Sequence, residues 1–60
     1  MPERKSIRIE GDRAGDALAV RRATVEVQRE NPNAFDFQWD GYTAGSGGRS
    51  GYHRVSCLAS

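Results

Sequence analysis

Sixty residues carry nine basic and eight acidic side chains, one cysteine and one histidine, with a formal net charge of +1. A chain this short makes one domain, residues 1–60, and buries only about 60% of the surface it exposes when unfolded. The composition excludes an internal disulfide, leaves no four-ligand zinc set, and gives neither the basic field of an electrostatic DNA binder nor the acidity of a DNA mimic.

No stretch approaches the roughly 20 apolar residues of a membrane span, and "MPERKS" leads into charged sequence rather than an apolar signal core. The expectation is a cytoplasmic chain without a membrane partner, a metal or a cofactor. Residues 1–4 are expected to be disordered.

"KSIRIEG" alternates Ile7 and Ile9 with Ser6, Arg8 and Glu10, which predicts a short half-buried strand ended by Gly11. In "GDRAGDALAVRRA", Asp12 is placed to cap a helix, and Ala14, Ala17, Leu18 and Arg21 recur at helical spacing. The spacing predicts a short helix over about 12–22, with one long strand over 17–29 as the alternative. A sheet this small needs an element to cover its apolar face, which favours the helix.

"ATVEVQRE" then alternates, with Ala23, Val25 and Val27 on one face and Thr24, Glu26 and Gln28 on the other. "NPN" is turn chemistry broken by Pro32. "AFDFQWDGYT" alternates again, Phe35, Phe37 and Trp39 against Asp36, Gln38 and Asp40. Five of the seven glycines fall in "GYTAGSGGRSGYH", and residues 45–51 read as a flexible hairpin tip. "GYHRVSCLA" closes the chain, with His53, Val55 and Cys57 opposite Tyr52, Arg54 and Ser56 in facing.

A hairpin centred on Gly47 sets Trp39 against Val55, Phe37 against Cys57, Asp40 against Arg54 and Tyr42 against Tyr52. A turn centred on Pro32 sets Val27 against Phe37, Val25 against Trp39, Thr24 against Asp40 and Arg22 against Tyr42. Both turns agree on one inner face, and cross-strand pairs of these kinds contribute roughly 0.2–1 kcal/mol each. The expected fold class is α+β: a small antiparallel sheet, made of a three-stranded meander plus a short N-terminal strand, with one short helix. An all-β meander that dimerises is the alternative. The core is expected to comprise Ile7, Ile9, Leu18, Val25, Val27, Phe35, Phe37, Trp39, Val55 and Cys57.

The glycine cluster matches no phosphate loop. Aligning Gly48-Arg49-Ser50 to the end of G-x-x-x-x-G-K-[ST] puts Thr43 at the first glycine and Arg at the lysine, and a strand pattern follows where a helix is needed. Cys57 and His53 lie about 13 Å apart on one strand, too far for a nucleophile–base pair. Paired carboxylates in a pocket are not evident, and the chain is short for enclosing one. The expectation is therefore no enzyme.

What remains is a surface. Arg22, Tyr42, Tyr52 and Arg54 are expected to cluster on the outer face, with Arg49 on the tip. Tyr and Arg are favoured interface anchors. The leading expectation is a non-enzymatic protein-binding module that inhibits or adapts a larger protein or complex, of the kind phages and mobile elements direct at host machinery. The alternative is a sheet that binds single-stranded nucleic acid through the same Tyr/Arg face. Asp36, Asp40 and Glu26, expected on that face, count against it. Self-association through a strand edge is a further partner expectation.

Overall fold

A computed structural model describes residues 1–59. Strand β1 (Glu3–Glu10) leads through the helix α1 (Asp16–Glu30) to β2 (Phe35–Thr43), and the glycine-rich loop returns the chain as β3 (Tyr52–Ala59). The three strands form one antiparallel sheet in the order β1-β3-β2. Both outer strands run opposite to β3, so β1 and β2 are mutually parallel with the last strand inserted between them. The connection through α1 is thus a split β-α-β unit. The α+β class, the antiparallel sheet, the single helix and the N-terminal strand all stand as the sequence implied.

The helix is longer than its expected 12–22 and begins later. Its N-cap is Gly15, with no side-chain cap. Asp12 does not cap it; the Asp12 carbonyl accepts the Gly15 N–H at 3.0 Å. The segment 23–30, expected as a strand paired with β2, is the second half of α1. Its alternation of Ala23, Val25 and Val27 is real but coexists with a helical stripe, Ala19, Ala23 and Val27, at every fourth position. Ala19 and Ala23 are buried and Val27 half-buried. Tertiary contact along that stripe outweighs the modest helix propensity of valine and threonine. Thr24 turns its hydroxyl onto the Val20 carbonyl at 2.9 Å, which satisfies it within the helix. The Asn31 N–H closes the last turn on Val27 O, and Pro32 follows. Gln28 Nε2 donates to Ala34 O at 3.1 Å and ties the helix end to the start of β2. Arg21 and Arg22 consequently lie mid-helix; the basic residue of the last turn is Arg29.

The Trp39–Val55 pairing is as expected. On either side of it β2 bulges. One bulge lies between Phe35 and Gln38, where Asp36 takes φ +57°; the other is at Asp40, followed by Gly41 at φ +138°. Past the second bulge Gly41 faces Arg54, Tyr42 faces His53 and Thr43 faces Tyr52. The expected Asp40–Arg54, Tyr42–Tyr52 and Phe37–Cys57 pairs are therefore replaced. One extra residue exchanges the two faces of everything beyond it. The loop tip is a turn over Ser46–Arg49, closed by Arg49 N–H on Ser46 O at 3.0 Å, with Gly47 and Gly48 both left-handed.

The core is built from small side chains: Ala19, Ala23, Ala34, Val55, Cys57 and Ala59, together with the buried His53 and Ser56. Ile7, Ile9, Val27 and Phe37 are half-buried. Leu18, Val25, Phe35 and Trp39, expected inside, are exposed at 59, 55, 50 and 45%. Leu18 and Val25 lie off the alanine stripe of α1, and the bulges turn Phe35 away from the helix. Alanines at the contact let α1 approach the sheet closely, and large side chains are displaced to its margins.

Candidate functional site

Alternation and register divide the sheet into two faces. The helix side carries Ile7 and Ile9 from β1, Trp39 and Tyr42 from β2, and His53, Val55 and Cys57 from β3. The opposite face has no element over it. It carries Arg4, Ser6, Arg8 and Glu10 from β1, Tyr52, Arg54, Ser56 and Leu58 from β3, and Phe35, Gln38 and Thr43 from β2.

At the Phe35–Leu58 end of this open face the charges are spent on one another. Arg4 Nη2 meets Asp36 Oδ2 at 3.0 Å, Arg4 Nη1 donates to Ser56 Oγ at 2.9 Å, and Gln38 Nε2 donates to Asp36 Oδ1 at 3.1 Å. The clamp spans all three strands. The Gln38 amide first, then Arg4, hold the Asp36 carboxyl below its ordinary value of 3.8.

At the loop end the charges are not spent. Arg8 and Arg54 are directly opposite partners on neighbouring strands. The Arg8 guanidinium lies 4.4 Å from the centre of the Tyr52 ring, a cation–π contact. Among the described residues Arg4–Asp36 is the one ion pair, so no acid lies within 4.0 Å of either Arg8 or Arg54. Arg49 lines a cleft with Arg8, Glu10 and Tyr52, beside the glycine turn. A hydrogen bond with Thr43, its cross-strand neighbour, lowers the Tyr52 phenol from its ordinary value, and the Arg8 and Arg54 charges add to that shift.

The five residues singled out from sequence are thereby separated. Arg49, Tyr52 and Arg54 remain together on the open face or at its loop end. Tyr42 is on the helix side, carried there by the Asp40 bulge. Arg22 is on α1, lining a groove against β1. Two open-face arginines went unrecognised, Arg4 and Arg8. Their signal was present in the alternation of β1, whose even positions all face one way, but it gains meaning only once β1 is placed beside β3.

Tyr42 belongs to a second cluster, centred on His53, which is 1% exposed. Trp39 Nε1–H donates to His53 Nδ1 at 3.1 Å, so the imidazole proton sits on Nε2 and is donated to Asp12 O at 2.6 Å. The Tyr42 ring is 4.6 Å from the imidazole, and its hydroxyl donates to Gly11 O at 3.1 Å. A Cβ on Gly51 would overlap the Tyr42 phenol, so that position requires glycine. Both ring nitrogens of His53 are engaged, and none is free to move a proton. The cluster fastens the β1–α1 connection onto β2 and β3.

Among the described residues, no three His, Cys, Asp or Glu side chains converge as a metal site. No helix is long and apolar enough to cross a membrane. Comparison of the chain with protein-family models, with curated proteins and with solved structures returns no match.

Proposed function

We propose that the protein is a binding module whose open sheet face holds a single-stranded nucleic acid. The observation that carries this reading is the Arg8–Arg54 pair. Like charges directly opposite on neighbouring strands work against the sheet, and no described acid comes within 4.0 Å to relieve them. A phosphodiester lying between them would. Tyr52 adjoins the pair and offers a ring for a base, and guanidinium planes stack on bases as well. Arg49 supplies a further cation at the loop end.

Two of the acids that weighed against nucleic acid no longer do. Glu26 lies on α1, and Asp36 is neutralised by Arg4. The protein-adaptor expectation leaned on Tyr42 and Tyr52 acting as one patch, and they stand on opposite faces.

The test is a titration onto a fluorescent single-stranded oligonucleotide over a series of salt concentrations. Log affinity should fall against log salt with a slope of about −0.7 per phosphate neutralised, hence about −2 for three arginines. Arg8→Ala and Arg54→Ala should each flatten that slope by about 0.7. Tyr52→Ala should lose about tenfold at every salt concentration. Arg29→Ala, in the last turn of α1, should change nothing. Binding without salt dependence, or equal losses from Arg29→Ala, would overturn the reading. Absence of binding, with recovery from lysate of a protein complex that survives nuclease and is lost in Tyr52→Ala, would return the function to an adaptor or inhibitor.

A further inference from the structure

The helix does not cover its side of the sheet evenly. Between α1 and β1 runs an open groove of about 740 Å³, floored by Ile7 and Ile9 and walled by Val27, with Arg22, Glu26 and Glu30 along its helix rim. The outer edge of β1 is also the regular edge of the sheet. β1 pairs with β3 residue for residue over all eight positions, whereas β2 is broken by two bulges. Bulges blunt an edge against further pairing, and a regular edge leaves its outward N–H and C=O groups as a template.

We propose that β1 pairs with β1 of a second copy, antiparallel, about a two-fold axis through Ile7. Symmetry and charge select this register. A two-fold axis relating antiparallel strands stands perpendicular to the sheet, so each face stays on its own side and the residue on the axis must oppose itself. Four such registers keep five or more residues of β1 in the pairing. Centring on Lys5 opposes two lysines, centring on Ser6 opposes Arg4 to Arg8, and centring on Arg8 opposes two arginines. Like charges in these positions are destabilising. Centring on Ile7 opposes Ile7 to itself, Arg4 to Glu10 at both ends, Ser6 to Arg8 and Lys5 to Ile9, with no like charges facing. It also joins the two Ile7/Ile9 grooves along one seam. Lys5 lies in a groove that Glu26 and Glu30 line as well, so its ammonium has carboxylates to turn toward.

The resulting sheet has six strands, both helices on one side and both open faces on the other. The proposal does not depend on what those faces bind.

Sedimentation equilibrium without nucleic acid tests it, using three variants. The parent should show a concentration-dependent dimer. Glu10→Arg should remove it by opposing Arg4 with arginine, while circular dichroism stays that of the parent. Under mild oxidation Ile7→Cys should give a disulfide-linked dimer, because only self-opposed residues bring identical positions together; Ser6→Cys should give far less. Cys57 is buried and does not compete. A parent that remains monomeric throughout, or a dimer indifferent to Glu10→Arg, would sink the interface. More crosslinking from Ser6→Cys than from Ile7→Cys would overturn the register. The Ile7→Cys and Ser6→Cys crosslinks are read without nucleic acid, and Ile7 faces the helix side, so the dimer stands or falls independently of what the open face binds.

Discussion

Asp36 combines a left-handed backbone with a carboxylate held by two strands' worth of partners. Asparagine tolerates that backbone conformation and valine does not. Asp36→Asn should therefore lower the denaturation midpoint through the lost charge and one lost acceptor, with the backbone kept, and Asp36→Val should lower it further. The depressed carboxyl contributes stability above its ordinary value of 3.8, and the contribution is lost as pH falls through the lowered value. The difference between the parent and Asp36→Asn should accordingly close on acidification. It should also shrink with salt, since the pair is exposed. Trp39 invites a similar separation. Half exposed, it does not carry the core as its position in the sequence implied; its specific contribution is the Nε1–H donated to His53. Trp39→Phe keeps an aromatic ring and removes the donor, which leaves the buried His53 Nδ1 unpaired, and should cost about 1–3 kcal/mol in urea unfolding.

At the scale of elements, the alanine stripe of α1 makes a sharp expectation. Ala23 is wholly buried against the sheet. Ala23→Leu should cost about 1–3 kcal/mol by overpacking. Val25→Leu, on the exposed side of the same helix, should leave the midpoint near the parent's. An unfolding midpoint equally sensitive at both positions would contradict the stripe, and with it the helical assignment of 23–30. That segment also marks the limit of what the sequence disclosed. β1, the glycine-loop hairpin and the Trp39–Val55 pairing were legible because one period fitted each segment. Residues 23–28 fit two periods, and only the packing of Ala19 and Ala23 chooses between them. Bulges leave no period of their own. Asp40-Gly41 offered a local hint, since glycine supplies the backbone that Gly41 adopts, but nothing in the alternation announces that Tyr42 changes face. The candidate site was legible to the same extent: Tyr52, Arg54 and Arg49 from one strand and its loop, while Arg8 required the β1–β3 neighbourhood, which joins residues far apart in the chain.

The whole molecule is elongated, 39 by 17 by 16 Å. Its one helix shelters part of one face, and the rest of the sheet is left to solvent or to partners. Stability therefore rests on the pairing of β3 with both its neighbours and on the packing of α1 across the three strands. Cys57 lies in that strand at 2% exposure, and it is the only thiol in the chain. A thiol reagent cannot reach it while β3 is flanked on both sides and the helix is seated. Its rate of modification thus follows the opening of the central strand rather than fraying at the ends. The chain carries its own gauge of cooperative opening, readable without an added label, in dilute solution or in a cell extract. A ligand that seats on the sheet would announce itself as a slower-reacting sulfur.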